Sequence, residues 1–212
     1  MVRTKRKRRG EKNVRSAPGV SVLAVRIDAP DVPGGYRPLR SSPLEPLLSA
    51  IADLAVARLA VLEELAGCIL CIFGAPGRKE GAASEAVRTA LDIQQAWLSL
   101  RNVFRARWQK DTAFPTLRMG IGTGPTVLLS GTDAPRKRRR LPEAVRPALE
   151  LCGRARTGET LVDAETYRES VRTLGKAVTW EARGTLEGAE DLGLVYACRA
   201  KKARLRLARR TP

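Results

Sequence analysis

The segment Val20-Ser-Val-Leu-Ala-Val-Arg-Ile27 constrains the fold more than any other stretch of the chain. Its apolar residues do not alternate with polar ones, as they would in a strand wet on one face. A near-continuous apolar run of this length reads as a strand at the centre of a sheet. The rest of the chain has to supply its neighbours.

Those neighbours are legible in order. Asp28 to Ser41 contains Pro30, Pro33, Gly34, Gly35 and Pro38 and reads as a loop. Ser42-Pro43-x-Glu45 combines an N-cap, a proline at the first helical position and a capping-box acid. It opens a helix ending near Leu59, with Leu44, Leu47, Leu48, Ile51, Leu54 and Ala55 on one face. Val61–Leu65 and Cys68–Phe73, split by Ala66-Gly67, read as a β-hairpin that Gly74-Ala-Pro-Gly77 terminates. A long helix spans 80 to about 107, with Ala86, Val87, Ala90, Leu91, Trp97 and Leu98 toward the core. Strands are expected at Leu117–Ile121 and Thr126–Leu129, on either side of Gly120-Ile-Gly-Thr-Gly124. A basic loop at 135–140, a helical stretch at Glu143–Arg154 and a strand at Thr160–Val162 follow. Asp163 then caps a short helix through Tyr167, and two strands lie near 178–183 and 192–198. The order is β-α-β-β-α-β with additional C-terminal strands and a helix: an α+β, ferredoxin-like core, expected as an antiparallel sheet with helices on one face.

Charge narrows the possible partners. The 212 residues hold 39 Lys plus Arg against 22 Asp plus Glu, a net +17. Residues 1–16 carry eight of the basic residues against one acid, and 199–212 carry seven against none. The body, 17–198, is left with +3, and Arg136 to Arg140 alone contribute five positive charges to it. The reading is a basic disordered tail (1–18), one domain (19–198) and a basic C-terminal tail (199–212). Arg6, Lys7, Arg8, Arg9, Arg136, Lys137, Arg138, Arg139 and Arg140 are the candidates for anion or nucleic-acid contact. Only 4% of residues are aromatic and none interleaves with the tails. Such contact would therefore be driven by phosphate charge rather than base stacking.

Further exclusions are chemical. There is no histidine, which removes Ser-His-Asp and Cys-His nucleophile systems and every His-ligated metal. Cys68-x-x-Cys71 resembles a redox or zinc spacing, but three residues apart on a strand means opposite faces. The four cysteines, Cys68, Cys71, Cys152 and Cys198, read as buried thiols of a reducing cytoplasm. No apolar run approaches the roughly 20 residues of a membrane span, and no secretory signal is expected.

Taken together, five segments resemble the catalytic domain of class III adenylate and guanylate cyclases over about residues 19–198. These are Val20–Ile27; the hairpin strand Ala66-Gly-Cys-Ile-Leu-Cys-Ile-Phe-Gly-Ala-Pro76 with the helix Glu85–Leu91; Leu117-Arg-Met-Gly-Ile-Gly-Thr-Gly124; Gly158-Glu-Thr-Leu-Val-Asp-Ala-Glu-Thr-Tyr167; and the closing Leu186-Glu-Gly188 with Val195-Tyr196. The resemblance implies that fold, and a head-to-tail homodimer or heterodimer with another cyclase-like domain. It also implies a two-metal phosphoryl transfer, in which two carboxylates hold two Mg²⁺ ions. The partner domain supplies purine-binding residues and a transition-state Asn and Arg.

Carried over residue by residue, the resemblance implies a lost site. The two metal-binding Asp positions hold Arg26 and Gly67, and Asp28 is the only carboxylate near the first. The purine-binding Lys position holds Glu63 and the second purine contact holds Arg139. The transition-state Asn and Arg positions hold Arg146 and Glu150, and the late phosphate-binding Lys region holds Glu187 and Ala189. Pro147 stands where the family has a helical Leu, so the helix is expected to restart or kink there.

The expectation is a degenerate cyclase-homology domain, cytoplasmic and without membrane contact, acting as a regulatory or dimerisation module rather than as an enzyme. It would hold no metal and no cofactor. One alternative is an active cyclase making cyclic AMP or cyclic GMP at an atypical site, with Mg²⁺ or Mn²⁺. A second is a nucleic-acid-binding protein on a cyclase-like scaffold. Arg26 and Arg146 are the weak candidates for binding a nucleotide without turnover.

Overall fold

The computed structural model describes residues 19–28, 45–74, 81–107, 115–125 and 142–201. Residues 1–18 and 202–212, the start of the first helix at Ser42, the strand expected at Thr126–Leu129 and the basic loop at Arg136–Arg140 lie outside the described residues, whereas Arg199 and Ala200, expected as the start of a tail, close the last strand.

Seven strands form one sheet in the order β2-β3-β1-β4-β5-β7-β6. The strands are β1 (Gly19–Asp28), β2 (Val61–Leu65), β3 (Cys68–Phe73), β4 (Thr116–Pro125), β5 (Glu159–Val162), β6 (Val178–Gly184) and β7 (Val195–Ala200). The helices are α1 (Glu45–Ala57), α2 (Ala82–Arg107), α3 (Val145–Arg154) and α4 (Ala164–Leu174). The apolar run sits inside the sheet as expected, antiparallel to β3 on one side and to β4 on the other. Consecutive residues on both of its faces, Val22 and Leu23, are fully buried.

Two features differ from the single-faced antiparallel sheet expected. β4 and β5 run parallel. The helices lie on both faces. Leu23, Val25, Phe73, Met119 and Ile121 share a core with α1, α2 and α4. The alternate residues Val20, Val22, Ala24 and Leu70 pack with Val145, Ala148 and Cys152 of α3. Cys71 and Cys68 divide between these two cores, as strand geometry requires.

The glycine run is also not a break between strands. Gly120, Gly122 and Gly124 lie within β4, opposite Ala24, Val22 and Val20 of β1. A Cβ on Gly120 would collide with the Ala148 carbonyl oxygen and the Cys152 backbone nitrogen. One on Gly122 would lie 2.7 Å from the Ala144 oxygen. The glycines are a seat for α3, which lies with its backbone against the strand. A glycine run can also cradle a phosphate, but here that space is filled by helix.

Smaller differences have local causes. In α2 the inward positions include Ile93 and Gln94, whereas Leu98 is exposed. The cap at Asp163 holds, its carboxylate accepting from the Thr166 backbone N–H at 2.7 Å, but the helix runs on to Leu174. Pro147 lies in the first turn of α3, where its missing N–H costs no helical bond. The helix restarts just ahead of it, at a turn in which the Val145 N–H donates to the Pro142 oxygen at 3.0 Å.

Candidate functional site

The end of β1 is where the resemblance would put metal ligands. Antiparallel pairing sets Arg26 of β1 directly opposite Arg118 of β4. Asp28 lies two residues on, so its side chain is on the same face as Arg26. The Arg26 Nε donates to Asp28 Oδ1 at 2.8 Å. The Arg118 Nε donates to Asp28 Oδ2 at 3.1 Å, and its terminal Nη2 contacts the same oxygen. Arg118 is anchored in turn by a 3.2 Å bond from Nη1 to the Gly153 carbonyl oxygen at the end of α3. Partial burial works against ionising Asp28, but the Arg118 and Arg26 hydrogen bonds and charges outweigh it and hold the carboxyl below its ordinary range. The Arg26 guanidinium is raised, chiefly by its bond to Asp28.

Gly67 belongs to the same corner. The pairing of Val25 with Ile69 places the β2–β3 turn beside Arg26. Gly67 has φ of +72° and open space where a side chain would stand. These residues do not fit a pair of divalent cations. Two guanidiniums surround one carboxylate, both oxygens of that carboxylate are bonded, and the second ligand position has no side chain. Among the described residues no group of three or more Cys, Asp or Glu side chains is placed to hold a metal ion.

The remaining positions fall elsewhere. Glu63 sits on edge strand β2, opposite Leu70. Arg146 lies in the first turn of α3, on the surface, paired with Asp191 at 2.7 Å. Glu150, one turn further, accepts from Arg154 Nη2 at 3.0 Å. Arg154 also donates to the carbonyl oxygens of Glu187 and Gly188, so it holds the 187–188 turn against α3, and Ala189 is buried. Two open clefts flank Arg146. One of about 590 Å³ is lined by Pro142, Val145, Leu149 and Glu150, and one of about 480 Å³ by Gly124, Pro147 and Asp191. Arg26 and Gly67 are therefore brought together near the C-terminal end of α3. Arg146 stands toward the other end, Glu150 lies one turn beyond it near the middle of the helix, and Arg139 lies outside the described residues. Arg146 and Gly153 are seven positions apart on the helix, about 10 Å of rise.

The described architecture matches solved structures across most of the chain. An adenylyl cyclase, CyaB, from P. aeruginosa superposes with a TM-score of 0.65 at 20% identity, covering 88% of this chain and 95% of that one. The guanylate cyclase domain of RhGC from Catenaria anguillulae, solved with GTP, gives 0.62 at 17%, covering 89% and 100%. The fold is that of the class III adenylyl and guanylyl cyclase domains. A dimeric guanylyl cyclase domain of the RhoGC fusion protein from the aquatic fungus Blastocladiella emersonii adds a third match, at 0.61 and 15% identity over 89% and 97%. At these identities the likeness is one of fold. No family model and no curated protein matches the sequence.

Two participants escape sequence reasoning. Arg118 becomes part of the corner only through its register with Arg26, and Asp191 reaches Arg146 from a 3₁₀ turn (Glu190–Leu192) distant in sequence. A signal existed for the first: Arg118 breaks the apolar run of its strand at the same end of the sheet as Arg26.

Proposed function

We propose that this chain is a cyclase-fold domain that has lost cyclase chemistry and works as a regulatory or dimerisation module, pairing with a second copy or another cyclase-like domain. The observation that carries the reading is the Arg26–Asp28–Arg118 cluster. A metal corner needs uncommitted carboxylates; here the nearest one already bridges two arginines, and the cluster keeps a net positive charge. The lost Asn and Arg positions support the same reading from the other end of α3. Arg146 is tied to Asp191 and Glu150 to Arg154. The dimer part draws its support from the Blastocladiella domain of the same fold, which is a non-canonical dimer. No described helix is long and apolar enough to cross a membrane.

Titrating the purified chain with Mn²⁺, and then with ATP or GTP, by calorimetry tests the binding half. We expect no saturable metal binding. Nucleotide heats that appear without metal and vanish in Arg146→Ala would favour binding without turnover. Sedimentation velocity tests the pairing half, and a strictly monomeric chain at high concentration, alone and with an active cyclase domain, would count against it.

A further inference from the structure

Most arginines on the described surface face a carboxylate, as Arg88 does Glu85, Arg168 Glu165 and Arg183 Glu181. One corner of the sheet differs. Arg172 lies in the last turn of α4 and Lys176 in the 3₁₀ turn (Gly175–Ala177) that follows. Arg199 lies near the end of β7 and Lys201 just past it. Strand pairing gathers them. Arg199 stands opposite Thr179 of β6, and the Lys201 N–H donates at 3.0 Å to the oxygen of Ala177, the residue after Lys176. Val178, opposite Ala200, belongs to the core that α4 covers, so Arg199 and Lys201 lie on the other face of the sheet. All four side chains are exposed. Among the described residues none of the four forms an ion pair.

The surroundings keep this charge uncompensated. Ser170 to Trp180 and Leu192 to Pro212 contain no Asp or Glu. The flanking acids are engaged elsewhere. Glu181 accepts from Arg183 at 2.8 Å, and Glu159 of β5, the strand beside β7, is buried and held by Arg183 and the Arg156 N–H. Glu169, three residues before Arg172, is directed at Gly19 of β1, its Oε1 3.4 Å from where a Cβ would stand there. A cation in a last helical turn suits the helix dipole, which accounts for Arg172. It does not account for Arg199 and Lys201, which a strand places side by side with no such return.

We propose that this corner binds the phosphodiester backbone of a nucleic acid without reading its sequence. Phosphates ask for exposed cations rather than a shaped pocket, and the corner offers four with no acid among them. The chain continues from Lys201 into Lys202, Arg204, Arg206, Arg209 and Arg210, so the charge runs on past the folded surface. An anionic bilayer fits less well, because surface-bound proteins add apolar side chains that insert. The large apolar side chains left exposed are spread over α1, β2 at the opposite edge, α2 and the loop before β7 rather than gathered here. The proposal goes beyond the pairing module and is independent of whether the domain turns over nucleotide.

The test is fluorescence anisotropy of the full-length chain with a short labelled DNA duplex, a second of unrelated sequence and an RNA duplex, each through a salt series. The expected result is binding to the DNA or the RNA duplex, alike for the two DNA sequences, with log affinity falling linearly against log salt. Arg199→Ala with Lys201→Ala, and separately Arg172→Ala with Lys176→Ala, should each lower that slope by about two. Arg88→Glu, the same change in net charge on α2, should leave the slope as in wild type. The C-terminal segment is intact in every variant, so slopes equal to wild type in both corner pairs would assign the binding to that segment and overturn the proposal. No binding to either duplex at low salt would overturn it too. So would tighter binding to vesicles of phosphatidylglycerol and phosphatidylcholine than to the duplexes.

Discussion

Asp28 holds together an otherwise repulsive contact. Arg26 and Arg118 face each other across neighbouring strands, an arrangement of like charges that destabilises a sheet unless a carboxylate intervenes. Removing that carboxylate in Asp28→Asn should cost about 1 kcal/mol near neutral pH, a figure reduced for the partial exposure of all three side chains. The sign with pH follows from the shift. Asp28 is held below its ordinary value, so its contribution is complete above the unfolded value of about 4. It is lost as pH falls through the lower folded value. Urea midpoints of wild type and Asp28→Asn should differ at pH 7 and converge in acid. A gap that persists in acid would mean the ion pairs are not its source. At this scale the sequence was half informative. The arginine at 26 and the glycine at 67 are visible in it, but the partner that commits Asp28 is Arg118, and only cross-strand register reveals it.

At the scale of elements, the fold turns on α3 and its glycine seat. Gly120→Ala places a methyl group against helix backbone, which cannot rotate away, and should cost about 3 kcal/mol in urea denaturation. Gly153→Ala is the matched control. It lies within the helix with nothing near its missing Cβ, and should stabilise by up to about 1 kcal/mol. Equal effects at the two sites would contradict the seating. The cap of α4 supplies a second prediction. Asp163 accepts from the Thr166 N–H and, at 2.9 Å, from the Thr123 N–H of β4, although burial raises its pKa. Asp163→Ala should cost about 2 kcal/mol of thermal stability, and Asp163→Asn should recover only part of that loss, since an amide keeps one acceptor for the Thr166 N–H but turns its NH2 donor toward the Thr123 N–H. Periodicity revealed that these helices exist. It did not reveal which sheet face α3 covers, because Val145, Ala148, Leu151 and Cys152 define an apolar stripe without naming the surface it meets. Nor could it show that Gly120–Gly124 continues a strand. Glycine ordinarily weakens strands, and only the approaching helix explains a run of it here.

For the whole molecule, the element order and the central place of β1 were legible because they depend on local pattern. The parallel β4–β5 pair and the two-faced helix layer depend on contacts distant in sequence and were not. The result is a cyclase-fold domain with an arginine–aspartate–arginine cluster at the end of β1 and with Arg146 and Glu150 of α3 held in ion pairs of their own. The central claim is that this architecture carries no cyclase chemistry, and turnover measures it most directly. Purified full-length chain incubated with ATP or GTP, in Mg²⁺ or Mn²⁺, is predicted to form no cyclic AMP or cyclic GMP above a protein-free control. Metal-dependent formation of either product, abolished by Asp28→Asn, would contradict it.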